Sequence, residues 1–206
     1  KVTASGATAI GGGSAGWDGY YGGSAKGIVI RDHATVVAKS EGGSWLGNGC
    51  AAIGAAGNKD TEAEVIIGTP GATAATGDVH VTATGVYGSA IGSGQKKTNV
   101  TIQGNATIRT ASMRNSTAIG SNYGNVEVNI KDNVTIDTDN DPVNAEPDHA
   151  GSSIGGGDIR VDSNRKVVVT AEQTEKSRSA ITLKYLENMV RFPPPRSTSV
   201  TMCCLK

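Results

Sequence analysis

Three aspartates at alternate positions, Asp137, Asp139 and Asp141, put carboxylates where an oxygen-ligated calcium loop would begin, and Asp148 stands where a twelfth-position ligand would fall. Such a loop wants glycine where this chain has Pro142, so the competing reading is a solvated acidic insert. No other cofactor is expected. A second group comes from aligning internal repeats, which sets His80, Arg109 and Asp137 on one outward register of successive strands. That track fits saccharide binding or acid/base chemistry; the competing reading is an exposed ion pair worth less than about 1 kcal/mol. The third group is aromatic. Trp17, Tyr20, Tyr21 and Trp45 cluster in the first repeat of a chain whose aromatic content is only 4%. Rings on loops can stack on sugar faces, or they can fold back over the scaffold, the reading that suits Tyr87 and Tyr123 farther along.

Other chemistries find little support. Asp32 and Asp132 share one register three repeats apart, which at roughly 4.8 Å per repeat is about 14 Å. Glycosidase carboxylate pairs sit at about 5 to 9.5 Å. His33, His80 and His149 lie in unrelated registers, and none begins a zinc-protease spacing. Cys50, Cys203 and Cys204 are odd in number and lack a C-x-x-C pair. Lysine plus arginine and aspartate plus glutamate are 19 each, so no general field draws the chain to nucleic acid. No apolar run approaches the roughly 18 residues of a membrane helix, so membrane insertion is not expected.

The elements that must position these residues are repeats. AIGGG at Ala9 returns as AIGAA at Ala52, AIGSG at Ala90, AIGSN at Ala118 and SIGGG at Ser153. After each signature come two short alternating apolar segments, such as Val100/Ile102 then Ile108, and Val128/Ile130 then Ile136. Period-two alternation is a strand signal. With 29 glycines and few rings, the core must be filled by small and branched side chains stacked repeat on repeat. The expected fold is all-β: a right-handed parallel β-helix, a solenoid of about five coils with three short strands in each. Residues 1–182 would form it, and 183–206 a C-terminal cap or tail. A propeller is disfavoured because it wants four strands and a near-constant length per blade.

His33, Asn105, Asn133 and Asn164 recur midway between the second and third strands of the repeat, and Asn and His are enriched at positive φ. This column is therefore expected to be a stack of left-handed corners. Inserts at Gly11 to Lys26, Gly68 to Gly77 and Asp139 to Ala150 would sit at corners, where function most often resides.

The AIGGG-type signature followed by VTI-type and ATV-type strands resembles the repeat regions of large secreted or wall-attached proteins of clostridial-type bacteria. Many of those are carbohydrate-binding or adhesin-like. The resemblance spans roughly Val2 to Ile181; it implies an extracellular or cell-surface location and brings no catalytic residue with it. The expected function is a non-catalytic surface module that binds carbohydrate or acts as an adhesin or spacer. A polysaccharide-active enzyme is the alternative. Ice binding comes third, because Thr35, Thr107 and Thr135 align but Asp78 and Lys166 interrupt the column.

Overall fold

The computed structural model describes residues 1–15, 21–41, 49–57, 60–113, 116–140, 153–156, 167–173 and 198–202. Every element among them is a β-strand. In chain order the longer strands are β1 (Val2–Gly6), β5 (Ala25–Ile30), β6 (Thr35–Ser40), β8 (Glu62–Ile67), β9 (Asp78–Gly85), β11 (Lys97–Ile102), β12 (Asn105–Ser112), β14 (Asn125–Asn140), β16 (Val167–Gln173) and β17 (Thr198–Met202). The signature repeats form the short strands β2 (Ile10–Gly11), β7 (Ile53–Gly54), β10 (Ile91–Gly92), β13 (Ile119–Ser121) and β15 (Ile154–Gly156). A two-residue antiparallel pair, β3 (Ser14–Ala15) with β4 (Tyr21–Gly22), occupies the first insert.

The expected β-helix with three short strands per coil is corrected by the topology. All ten longer strands belong to one parallel sheet, in the order β1-β6-β9-β12-β14-β11-β8-β5, with β16 added beside β14 and β17 beside β16. β14 is the reason. It runs unbroken for 16 residues, pairing β11 through its first half and β12 through its second. The main sheet therefore curls about β14 into a half-barrel instead of dividing into separate faces. Asp132, at φ 65, marks a bend inside this strand and not a break, since Asp132 still pairs with Gln173 of β16. The remaining face is a narrow five-stranded parallel sheet, β15-β13-β10-β7-β2. Of the 183–206 segment, only Thr198–Met202 is described, as β17 alongside β16.

Alternation explains the core. In β9 and β12 each second side chain is buried, so Val79, Val81 and Ala83 stack on Ala106, Ile108 and Thr110. On the other arm Val65, Val100, Val128 and Val169 make one ladder, and Ile67, Ile102 and Ile130 the next. Parallel strands set identical residues about 4.8 Å apart, which lets like side chains fill the interior without gaps. The signature isoleucines Ile10, Ile53, Ile91, Ile119 and Ile154 stand in one parallel ladder, and the inner three are wholly buried. Burying each contributes about 1.5 to 3 kcal/mol.

The glycine after each isoleucine has its own cause. Gly54, Gly92 and Gly120 have φ of 141°, 121° and 128°, a region L side chains avoid. A Cβ on Gly92 would stand 2.1 Å from the carbonyl oxygen of Gly120, and one on Gly54 would stand 2.2 Å from that of Gly92. The narrow sheet exists because these backbones approach with nothing between them.

The corner column is also corrected. Positive φ occurs one residue earlier than expected, at Asp32 (64°), Gly104 (74°) and Asp132 (65°), and not at His33, Asn105 or Asn133. Asn164 lies outside the described residues. Asn105 and Asn133 already belong to strands, and their recurrence has a different basis. The Asn133 amide Nδ2 donates to Asn105 Oδ1 at 2.7 Å, and Asn105 Nδ2 donates to Asp78 Oδ1 at 2.8 Å. Like amides spaced one strand apart form a ladder of side-chain hydrogen bonds. The true corner residue Asp132 is committed to structure, since its Oδ2 accepts the backbone N–H groups of Gly71 at 3.1 Å and Gly104 at 2.9 Å.

Candidate functional site on the outer face of the curled sheet

Because inward positions of β9, β12 and β14 are occupied by the core, alternate residues must face outward. They form a grid of four rungs. The first is Asp78–Asn105–Asn133, the second His80–Thr107–Thr135, the third Thr82–Arg109–Asp137 and the fourth Thr84–Ala111–Asp139. Neighbours along a rung are roughly 4.8 Å apart and successive outward residues of one strand roughly 6.8 Å apart. This regularity comes from the ladders beneath; the side chains above are where the repeats differ.

The sequence alignment set His80 beside Arg109 and Asp137, and the register moves it. His80 pairs with Thr35 on one side and Thr107 on the other, two residues from the Arg109 rung, whose β9 member is Thr82. β9 was aligned out of step because the Gly68 to Gly77 insert hides where its pairing begins. Arg109 and Asp137 are direct neighbours, as expected. The same shift puts His80, not Asp78, in the threonine column of Thr35, Thr107 and Thr135. His80 has a different partner: its Nε2 lies 3.0 Å from Asp78 Oδ2, on the same strand. Asp78 thus uses one carboxylate oxygen for His80 and the other for Asn105.

Around the third and fourth rungs the surface dips into an open hollow of about 180 Å³, lined by Thr82, Thr84, Arg109, Ala111, Asp137 and Asp139. Arg109, Asp137 and Asp139 are exposed. Among the described residues Arg109 forms no ion pair, although the carboxylate of Asp137 is one strand away. A guanidinium is a rigid fork of N–H donors, carboxylates accept, and threonine hydroxyls do both. The residues around the hollow therefore include both donor and acceptor types. Sequence reading named Arg109, Asp137 and Asp139 but missed Thr82 and Thr84, which only the corrected register reveals.

The other sequence candidates are placed less usefully. Asp137 and Asp139 share the outer face of β14, while Asp141 lies outside the described residues, and among those described no group of three His, Cys, Asp or Glu is arranged to hold a metal. Trp17, Tyr20 and Trp45 also lie outside the described residues; the backbone of Tyr21 belongs to β4. Tyr87 and Tyr123 are half-buried, and the backbone of Tyr87 lies close against Gly49. Cys50 is a buried free thiol. No helix among the described residues is long and apolar enough to cross a membrane.

Among the described residues, the opposite arm of the sheet carries a cluster of three charges. Lys26 Nζ and Lys96 Nζ approach the two carboxylate oxygens of Glu62 at 2.7 and 2.8 Å. Hydrogen bonds from Lys26 and then Lys96, with their charges, hold the Glu62 carboxyl at about 2 instead of the ordinary 4.5. The cluster ties β5, β8 and the β10–β11 connection together. Comparison with family models, with curated proteins and with solved structures returned no match.

Proposed function

We propose that this chain is a non-catalytic glycan-binding module of a bacterial surface protein, and that it presents the outer face of β9, β12 and β14 to its ligand. The observation that carries the reading is the hollow at Arg109, where Thr82, Thr84, Arg109, Asp137 and Asp139 line about 180 Å³ of open space. Enclosed sites for cofactors and small substrates run to about 300 to 1,000 Å³. A shallower hollow on a regular strand grid suits one sugar unit of a longer chain, whose neighbouring units lie along the adjoining rungs. Sugar hydroxyls are donors and acceptors at once, and the grid supplies both complements. The rigid ladders beneath mean that little backbone ordering opposes binding.

Retention of the protein on a panel of soluble and insoluble glycans tests this reading. Arg109→Ala is expected to weaken retention at least ten-fold, about 1.4 kcal/mol or more, in line with loss of hydrogen bonds from a charged donor. Trp17→Ala with Trp45→Ala, made together, tests the loop aromatics in the same assay. No retention on any glycan refutes the reading. Retention lost with the tryptophans but kept by Arg109→Ala would move the site off the sheet face.

A further inference from the structure

The first two rungs carry a run of side-chain hydrogen bonds with a fixed polarity, and it bears on which glycans this face accepts, an inference that rests on the glycan-binding reading above. Asn133 Nδ2 donates to Asn105 Oδ1 at 2.7 Å, Asn105 Nδ2 donates to Asp78 Oδ1 at 2.8 Å, and His80 Nε2 lies 3.0 Å from Asp78 Oδ2. An ionised carboxylate only accepts, so Nε2 carries the proton and the neutral His80 ring keeps a bare lone pair on Nδ1. Among the described residues Nδ1 has no hydrogen-bond partner, and the side chain is half-exposed. One strand over on the same rung, Thr107 offers a hydroxyl, and Asn105 uses only one of its two amide hydrogens. On the other side of β9 stands Val37, an outward valine 37% exposed, whose rung neighbour is Thr82.

We propose that this array recognises the acetamido group of an N-acetylhexosamine, so that the face prefers N-acetylated glycans to plain glucans. An acetamido group holds its methyl on the N–H side and its carbonyl on the other. Placed over β9, its N–H donates to His80 Nδ1, its carbonyl accepts from Thr107 or Asn105 on β12, and its methyl lies toward Val37 on β6. The sugar ring that carries it occupies the hollow or adjoins the unit that does, since Thr82 and Arg109 stand one rung farther along the same face. A hydroxyl at the same ring position is too short to reach both strands and brings no methyl. Asp78 is a positioning residue, which touches no sugar and acts by holding the His80 tautomer.

The test is calorimetry on the intact chain with an N-acetylglucosamine oligomer and a cello-oligomer of equal length, which differ only in that ring substituent. The readout is the ratio of the two affinities. It is expected to favour the N-acetylated oligomer by on the order of ten-fold, the weight of one more hydrogen bond and a covered methyl. His80→Phe keeps a flat ring at an exposed strand position but removes the acceptor, and should bring the ratio to within about two-fold of unity. Asp78→Asn leaves one carbonyl oxygen where two donors converge, and should lower the ratio by releasing the tautomer. Nitrogen-15 spectra of the neutral imidazole read this directly: Nε2–H in the unaltered protein, and loss of that preference in Asp78→Asn. Circular dichroism shows whether each variant is folded. Equal affinities, a preference that survives His80→Phe, or an Nδ1–H ring in the unaltered protein overturns the acetamido subsite and leaves glycan binding standing. So does binding of neither oligomer while another glycan of the panel is retained. Failure of both oligomers and of the whole panel overturns glycan binding itself.

Discussion

Replacing Gly92 by alanine separates two costs that the structure superimposes. At Gly92 the backbone has φ 121°, and an added Cβ would fall 2.1 Å from the Gly120 carbonyl oxygen and 2.9 Å from Thr98 Cγ2. Holding a side chain in this region costs about 1 to 3 kcal/mol. The clash adds more, because the obstacle on one side is backbone. Relieving it pulls β10 away from β13, weakening the hydrogen bonds Ile91 N to Ala118 O at 3.0 Å and Ser93 N to Gly120 O at 2.8 Å. Each is worth about 1 kcal/mol net, so the total comes to about 3 to 5 kcal/mol. Two controls take the pieces apart. Gly27 has φ 75° with nothing within 4 Å of its Cβ position, and Gly13 has open space and no positive φ. Gly27→Ala should cost about 1 to 2 kcal/mol, and Gly13→Ala less than about 0.5 kcal/mol. Urea denaturation followed by circular dichroism gives all three differences. Gly92→Ala costing no more than Gly27→Ala would refute the close approach of the signature strands.

Truncation of the isoleucine ladder gives a second measure: Ile91 is wholly buried, so Ile91→Val should cost about 0.5 to 1.5 kcal/mol and Ile91→Ala about 2 to 5 kcal/mol in the same denaturation assay. The amide ladder predicts that Asn105→Ala costs about 1 kcal/mol. Asn105→Asp should cost more at pH 7 than at pH 3, because the new carboxylate would face Asp78 across 2.8 Å; a pH-independent penalty argues against the ladder. For Glu62, the folded carboxyl titrates near 2 and the unfolded one near 4.5, so the folded state favours the ionised form. Its stabilisation is present above about 4.5 and is lost as pH falls toward 2. The midpoint difference between the protein and Glu62→Gln should therefore shrink over that window, and should also shrink with added salt at neutral pH. A difference that grows on acidification would contradict the lysine contacts.

The parallel stacking of like residues was legible in the sequence because ladders select for identity at a fixed register: isoleucine follows isoleucine wherever the interior is the same. The alternation of the longer strands was legible for the same reason, since one face of each is committed to the core. Several features were decided only in three dimensions. Whether a bend ends a strand depends on hydrogen bonds to its neighbours, and the pairing of Asp132 with Gln173 carries β14 through its bend, so separate faces became one curled sheet. The asparagine column was visible as a recurrence, but its cause is the bond from each amide to the next strand, not its own backbone conformation. The candidate site shows the same division. Arg109 and Asp137 were aligned correctly because β12 and β14 follow equal spacings, whereas the insert before β9 displaced His80 by two residues and concealed Thr82 and Thr84. Sequence periodicity determines which side chains face outward; which of them meet depends on register, and register is set by pairing across strands far apart in the chain.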